Sequence, residues 1–218
     1  MLPLSFSKAP DEPLRVLCIG AHSDDIEIGA GGLVRRLIRE RKTVDVHWSV
    51  FASSSPERDA EAEASAAWFL EGTREHTVEI HGFKESFFPA RWEEIKDALF
   101  QTRAAFEPDL VLTHRLQDRH QDHRVLAELT WNTYRDHVVL AYEIAKYEGD
   151  LGQPNVYVPL TREDATQKAA ALQRAFATQR SKPWFSEETF FALMRLRGIE
   201  CNAPEGFAEG FHADKLIL

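Results

Sequence analysis

The sequence predicts an α/β fold: a mainly parallel sheet with helices on both faces. Three observations carry this. Short apolar runs alternate with amphipathic stretches in the order strand, helix, strand, helix, strand, helix, strand, as right-handed crossovers require. Several of the runs end on polar residues, as strands do at the functional edge of an open sheet. With 218 residues and 44% hydrophobic content, the chain can bury a sizeable core, and no linker or repeat divides it, so residues 1–218 are expected to form a single domain.

The elements follow in order. Leu14 to Gly20 reads as a buried strand, and Gly31 to about Lys42 as a helix with Leu33, Val34, Leu37 and Ile38 on one face. A strand over Thr43 to Phe51 precedes a loop, Ala52-Ser53-Ser54-Ser55-Pro56, and an Ala- and Glu-rich helix from Asp59 to Leu70. A short strand at Thr77 to Ile80 comes next, then a helix from Trp92 to Phe106 stopped by Pro108, and a strand over Asp109 to His114. The second half predicts a helix from about Asp122 to Tyr134 and a strand at Val138 to Glu143. Asn155 to Pro159 reads as an edge strand, because Pro sits at its end. Thr161 followed three residues later by Asp164 opens a helix that runs to about Ala177, Ser186 to Leu196 forms another, and the tail from Phe207 returns as an extended segment. Trp68, Trp92, Trp131 and Trp184 fall on helix-face spacing and are expected to pack.

Charge and composition narrow the partners. A net charge of −9 with no basic run argues against nucleic acid or an anionic membrane, and leaves a small neutral or cationic ligand. Met1 to Lys8 lacks an apolar core behind a basic segment and no window is apolar enough to span a bilayer, so a cytoplasmic protein without stable membrane insertion is expected. Cys18 and Cys201 make neither a disulfide framework nor a cysteine metal cluster, so any metal must use His and carboxylate. The sequence leaves oligomeric state open, and a homo-oligomer is compatible with it.

The chemistry concentrates in two clusters. His22-Ser23-Asp24-Asp25 follows the first strand, with His22 and Asp25 three residues apart, so both side chains can face one point where the chain turns into a helix. Asp118-Arg119-His120-Gln121-Asp122-His123 follows another apolar strand and opens a helix, with His120 and His123 at the same spacing. Taken alone, each has a plain structural reading: a strand-end His bonds its loop, and paired Asp residues cap a helix. Together, at two strand ends, they supply three ligands with groups to spare. Three protein ligands plus a water is the layout of a catalytic zinc site. Spacing alone does not say whether His120 or His123 binds. Asp24 and Asp122 are surplus, which favours catalysis over a closed structural site. Gly29-Ala30-Gly31-Gly32 fits neither the dinucleotide nor the P-loop fingerprint and reads as close helix packing.

On these residues the chain resembles the LmbE-like (PIG-L) family of zinc-dependent de-N-acetylases. The first signature stands as Ala21-His22-Ser23-Asp24-Asp25-Ile26-Glu27 with Gly31-Gly32, and the second as Asp118-Arg119-His120-Gln121-Asp122-His123. The resemblance implies a Rossmann-like three-layer sandwich and removal of the N-acetyl group from an N-acetylated amino sugar or its conjugate. It implies that His22, Asp25 and His123 hold Zn2+, with Fe2+ suited to the same donors, and that Asp24 is the general base. His120 is implied as oxyanion stabiliser or general acid, with Asp122 orienting it. Arg58 stands where the family often carries a sugar- or phosphate-binding arginine, and reads equally well as a solvated helix-start residue. Ser23 and Gln121 replace the more common prolines, between functional residues rather than on them. Glu143, Lys146 and Glu209 are candidates for the mouth of the site, with surface salt bridges the favoured role.

Two rivals differ in class. A phosphoesterase on the same ligands would call for a second carboxylate set and a basic clamp, neither of which stands out. A non-catalytic sugar-binding protein would be expected to lack the base, yet Asp24 is present. A glycosidase using Asp24 and Asp25 is disfavoured, since adjacent carboxylates cannot flank one bond about 5 Å or more apart.

Overall fold

The computed structural model describes residues 5, 8, 9 and 11–217. Among them the elements in chain order are β1 (Leu14–Gly20), α1 (Asp25–Glu40), β2 (Val44–Ala52), α2 (Pro56–Phe69), β3 (Glu75–Phe83), α3 (Trp92–Ala105) and β4 (Leu110–Thr113). They continue as α4 (Gln121–Thr133), β5 (Val138–Tyr142), β6 (Val156–Leu160), α5 (Arg162–Ala175), α6 (Glu187–Glu200) and β7 (Phe207–His212). A single sheet of seven strands in the order β3-β2-β1-β4-β5-β7-β6 runs through them. β3, β2, β1, β4 and β5 are parallel, while β7 pairs antiparallel with both β5 and β6. The mainly parallel α/β sandwich expected from the sequence is what forms.

The near-continuous apolar character of β1 follows from burial on both faces. Val16 and Cys18 point into the layer built from α1, α2, α5 and α6, and Leu17 and Ile19 into the layer of α3 and α4. Strand order reverses between β1 and β4: β2 and β3 step away on one side, β5 on the other. The crevice outside the carboxyl ends of β1 and β4 is therefore the topological switch point, where open α/β sheets bind ligands.

Several boundaries differ from the sequence reading, each for a physical reason. Helix α1 starts at Asp25 rather than Gly31, because the glycines lie inside it as contact points. A Cβ on Gly29 would overlap the Tyr142 ring, one on Gly31 the Phe69 ring, and one on Gly32 would stand 2.7 Å from Glu209 Oε1. The packing role of this segment is thus borne out. β3 is longer than expected and carries an exposed, polar first half suited to a sheet edge. The Phe207 segment is an interior strand covered on both sides by partners. Trp92, expected to pack, is 45% exposed at the start of α3. Thr161 and Asp164 do form a reciprocal capping box.

Gly29 offers a direct test. Tyr142 is buried and its hydroxyl donates to Ile19 O at 2.6 Å, so the ring cannot swing away from an added methyl. Overpacking of this kind outweighs the helix propensity gained by alanine. Gly29→Ala is expected to lower stability by about 1–3 kcal/mol, read as a lowered thermal midpoint; an unchanged or higher midpoint would contradict the packing.

Candidate metal centre

β1 ends at Gly20, and Ala21 to Asp24 carry the chain over its carboxyl edge into α1. The turn is held by Ala52 N, which donates to Ala21 O at 2.8 Å, and by His22 N, which donates to Asp25 Oδ2 at 2.7 Å. Asp24 occupies the N-cap position but makes no capping hydrogen bond, so the plain capping reading fails for it. At the end of β4 the loop through Asp118 leads to α4, whose N-cap is His120: Asp122 N donates to His120 Nδ1 at 3.3 Å. Asp118 stiffens this loop by accepting from His120 N at 2.8 Å through Oδ1.

His22, Asp25 and His123 meet in the crevice. His22 Nδ1 lies 3.1 Å from His123 Nε2 and 3.3 Å from Asp25 Oδ2, and His123 Nε2 lies 3.4 Å from Asp25 Oδ2. The other nitrogen of each ring is committed: His22 Nε2–H donates to Asp122 Oδ2 at 3.2 Å, and His123 Nδ1–H donates to Asp118 Oδ2 at 2.9 Å. Both rings therefore present lone pairs to one another and to a carboxylate oxygen, with no proton between them when neutral. Three acceptors facing each other, two of them buried and that of His22 partly so, repel unless a cation joins them. Ligands about 2.0–2.1 Å from a tetrahedral ion stand about 3.3 Å apart, so the triangle fits a zinc-like ion and the paired carboxylates complete the usual outer ring.

The electrostatics agree. Burial works against a charge on His22, but the Asp25 and Asp122 carboxylates outweigh it and push its pKa up to about 10. Burial, with His114 alongside, drives His123 down to about 3. Burial alone would raise Asp25, yet His123, His114 and His22 together hold it well below the usual carboxylate range. The crevice favours one positive charge near Asp25, whether carried by a proton or a metal.

Asp24 lies beside this triangle with one oxygen engaged and one free. Arg58 donates through Nη2 to Asp24 Oδ1 at 3.1 Å, and Oδ2 is buried without a partner among the described residues. Burial raises the proton affinity of Asp24, while Arg58 pulls it back towards the ionised form. His120 completes the wall, its ring 4.9 Å from that of His22 and 4.7 Å from that of His123. Since its Nδ1 accepts the Asp122 amide, a neutral His120 carries its proton on Nε2, and burial together with His22 lowers its pKa.

Some expected partnerships change. Asp122 was expected to orient His120; its carboxylate instead holds His22, and accepts from Ser86 N at 2.6 Å and Phe88 N at 3.1 Å. Only its backbone amide serves His120. Arg58, read as a sugar- or phosphate-binding arginine or as a solvated helix-start residue, is buried rather than solvated, with its guanidinium on Asp24, Glu61 and Thr178. Glu143 and Glu209 are not surface salt bridges. Glu143 pairs with Arg197 at 2.8 Å, and Glu209 with Lys168 at 2.6 Å, all four buried. Lys146 bonds Asp150 at 2.7 Å and lies 3.1 Å from Asp118, behind His123.

Sequence reasoning assigned no role to two residues here. Asp118 was quoted within its motif, and its place five residues before His123 was the available signal. His114 was seen only as the polar end of a strand, though it lies 3.2 Å from Asp25 Oδ2. Ligand atoms of His22, His120 and His123 lie within 4.8 Å of one another, as do those of Asp25, His114 and His123.

Fold and crevice together define an α/β protein with a convergent His/Asp cluster at its switch point. The family model described as PIG-L: GlcNAc-PI de-N-acetylase matches residues 17–134, more than half of the chain, and the chain belongs to that family. Among solved structures it is similar to the conserved protein TT1542 from Thermus thermophilus (20% identity, TM-score 0.73, covering 94% of this chain and 96% of that one). It is also similar to N,N'-diacetylchitobiose deacetylase from Pyrococcus horikoshii (19%, TM-score 0.70, 91% and 83%). A third likeness is to GalB, the 4-carboxy-2-hydroxymuconate hydratase from Pseudomonas putida (20%, TM-score 0.73, 94% and 98%). Comparison with curated protein sequences found no match. Among the described residues, no helix is long and apolar enough to cross a membrane.

Proposed function

We propose that this chain is a divalent-metal-dependent hydrolase that removes the N-acetyl group from an N-acetylated amino sugar or a conjugate of one. The observation that carries the reading is the free, buried Oδ2 of Asp24 set beside three convergent lone-pair donors, in a chain of the de-N-acetylase family. His22, Asp25 and His123 would hold the metal, Zn2+ or Fe2+, which when bound polarises an amide carbonyl and acidifies water.

The remaining steps belong to the chain's own groups. Asp24 Oδ2 takes the proton of the attacking water; burial makes it a stronger base than an exposed aspartate, and Arg58 favours its ionised form. Neutral His120 donates its Nε2–H to the oxyanion that forms as water adds to the carbonyl carbon. Asp24 then returns its proton to the nitrogen as the C–N bond breaks, so that water and amide become acetic acid and amine, which leave as acetate and ammonium. Asp122 and Asp118 keep His22 and His123 in the tautomers that expose their lone pairs.

The likeness to GalB bears on fold rather than chemistry, and the family match favours amide hydrolysis over hydration. Amine release separates the two. The metal-loaded protein is expected to liberate primary amine from at least one of a set of N-acetylglucosamine derivatives, free, nucleotide-linked or glycoside-linked. Metal binding without release from any of them would overturn the reading in favour of a binding protein. Hydration of an unsaturated hydroxy acid in the same assay would favour the GalB-like chemistry.

A further inference from the structure

We infer that His114, at the end of β4, is a positioning residue that sets the spacing between the two ligand-bearing loops. This rests on the metal reading of the crevice, and extends it to a residue that neither signature gave a role.

His114 is wholly buried and touches both halves of the site. On one side Ala21 N donates to its Nε2 at 2.9 Å, which fixes the backbone immediately before His22. On the other side its ring lies flat against that of His123, with centroids 3.9 Å apart and planes 21° from parallel. The hydrogen bonds also select its tautomer. Because the Ala21 amide occupies the Nε2 lone pair, neutral His114 carries its proton on Nδ1, which faces no partner among the described residues. The Tyr142 hydroxyl, 3.3 Å from Nε2, gives its own proton to Ile19 O. Asp25 Oδ2 stands 3.2 Å from the same nitrogen, so His114 also borders the carboxylate of the first ligand pair.

His114 cannot be replaced by an apolar ring of similar size without orphaning the Ala21 amide, a buried donor whose loss of a partner is costly. The first ligand pair hangs from the Ala21–His22 backbone and the third ligand stacks on the His114 ring, so one side chain gauges the distance between them.

The test compares His114→Phe, which keeps a ring against His123 but no acceptor for Ala21, with His114→Gln, whose amide oxygen reaches about as far as Nε2. Each is titrated with zinc, following affinity and the metal-induced rise in melting temperature above that of the metal-free form. His114→Phe is expected to bind zinc about 10–100-fold more weakly, with a reduced rise, and His114→Gln to recover most of both. A merely structural role would lower the metal-free and metal-bound midpoints together and leave the rise unchanged; that result would overturn the inference, as would zinc affinity equal to wild type in His114→Phe. Should the Phe variant not fold, His114→Asn serves, its amide being too short to reach Ala21, and equal affinity in Asn and wild type would again overturn it. Absence of any zinc-induced rise in the wild-type chain would instead count against the metal reading itself.

Discussion

Asp24→Asn is expected to lower kcat by a factor of about 10²–10⁴ while leaving the metal in place, the range seen when a positioned acid or base is removed. The expectation follows from the division of labour in the crevice. Asp24 shares no atom with the His22, Asp25 and His123 triangle, and its free oxygen is the group without a structural duty. Stability should change little. Asn retains an oxygen for the Arg58 bond, Arg58 keeps Glu61, and burial already raises the cost of the charge that the substitution removes. Metal content, melting temperature and turnover on a substrate found by amine release separate these effects. A folded, metal-loaded Asp24→Asn protein with full turnover would remove Asp24 from the chemistry.

His123→Ala should act in the opposite order, on metal first. It deletes one corner of the donor triangle, and also strips Asp118 of the ring nitrogen it holds and His114 of its stacking partner. Loss of an outer partner alone costs about 10–100-fold in metal affinity, so loss of a ligand should cost at least about 100-fold. Ligand binding to the native state stabilises by about 2.7 kcal/mol at one hundred times the dissociation constant. A zinc-dependent rise in melting temperature should therefore appear in wild type at concentrations where the variant shows none. Retention of zinc by His123→Ala through dialysis against a chelator would exclude His123 as a ligand.

The parts legible in the sequence were those set by periodicity and by local chemistry. β1, β4 and α3 announce themselves as apolar runs or striped helices, and the two clusters stand at strand ends because that is where an open sheet exposes side chains. β7 was harder to place. Phe207-Ala208-Glu209-Gly210-Phe211-His212 carries a charge and a glycine in its middle, and reads as a tail until Lys168 is seen to neutralise Glu209 from α5. The site was legible as a set of residues and illegible as a set of bonds. Spacing brings Asp122, His120 and His22 to one edge but does not fix which nitrogen faces which oxygen. That is decided by the loop at Ser86 and Phe88, whose amides turn the Asp122 carboxylate towards His22. Arg58 likewise stood in plain view at the start of its helix, but its approach to Asp24 depends on a crossover through β2 that no local pattern encodes.

Glu209 accepts from the amides of Gly32 and Leu33, each at 2.7 Å, and Lys168 donates to Ile28 O at 2.6 Å, so a charge pair from the last third of the chain grips the middle of the helix that begins at Asp25. Every candidate ligand lies before Tyr134, within the stretch that matches the family, yet the grip on the helix that carries Asp25 comes from residues far beyond it. A fragment cut after Tyr134 would keep the complete set of donor side chains and lose the clamp on the helix that bears Asp25. For this chain the smallest unit that carries the chemistry is longer than the smallest unit that carries its signatures.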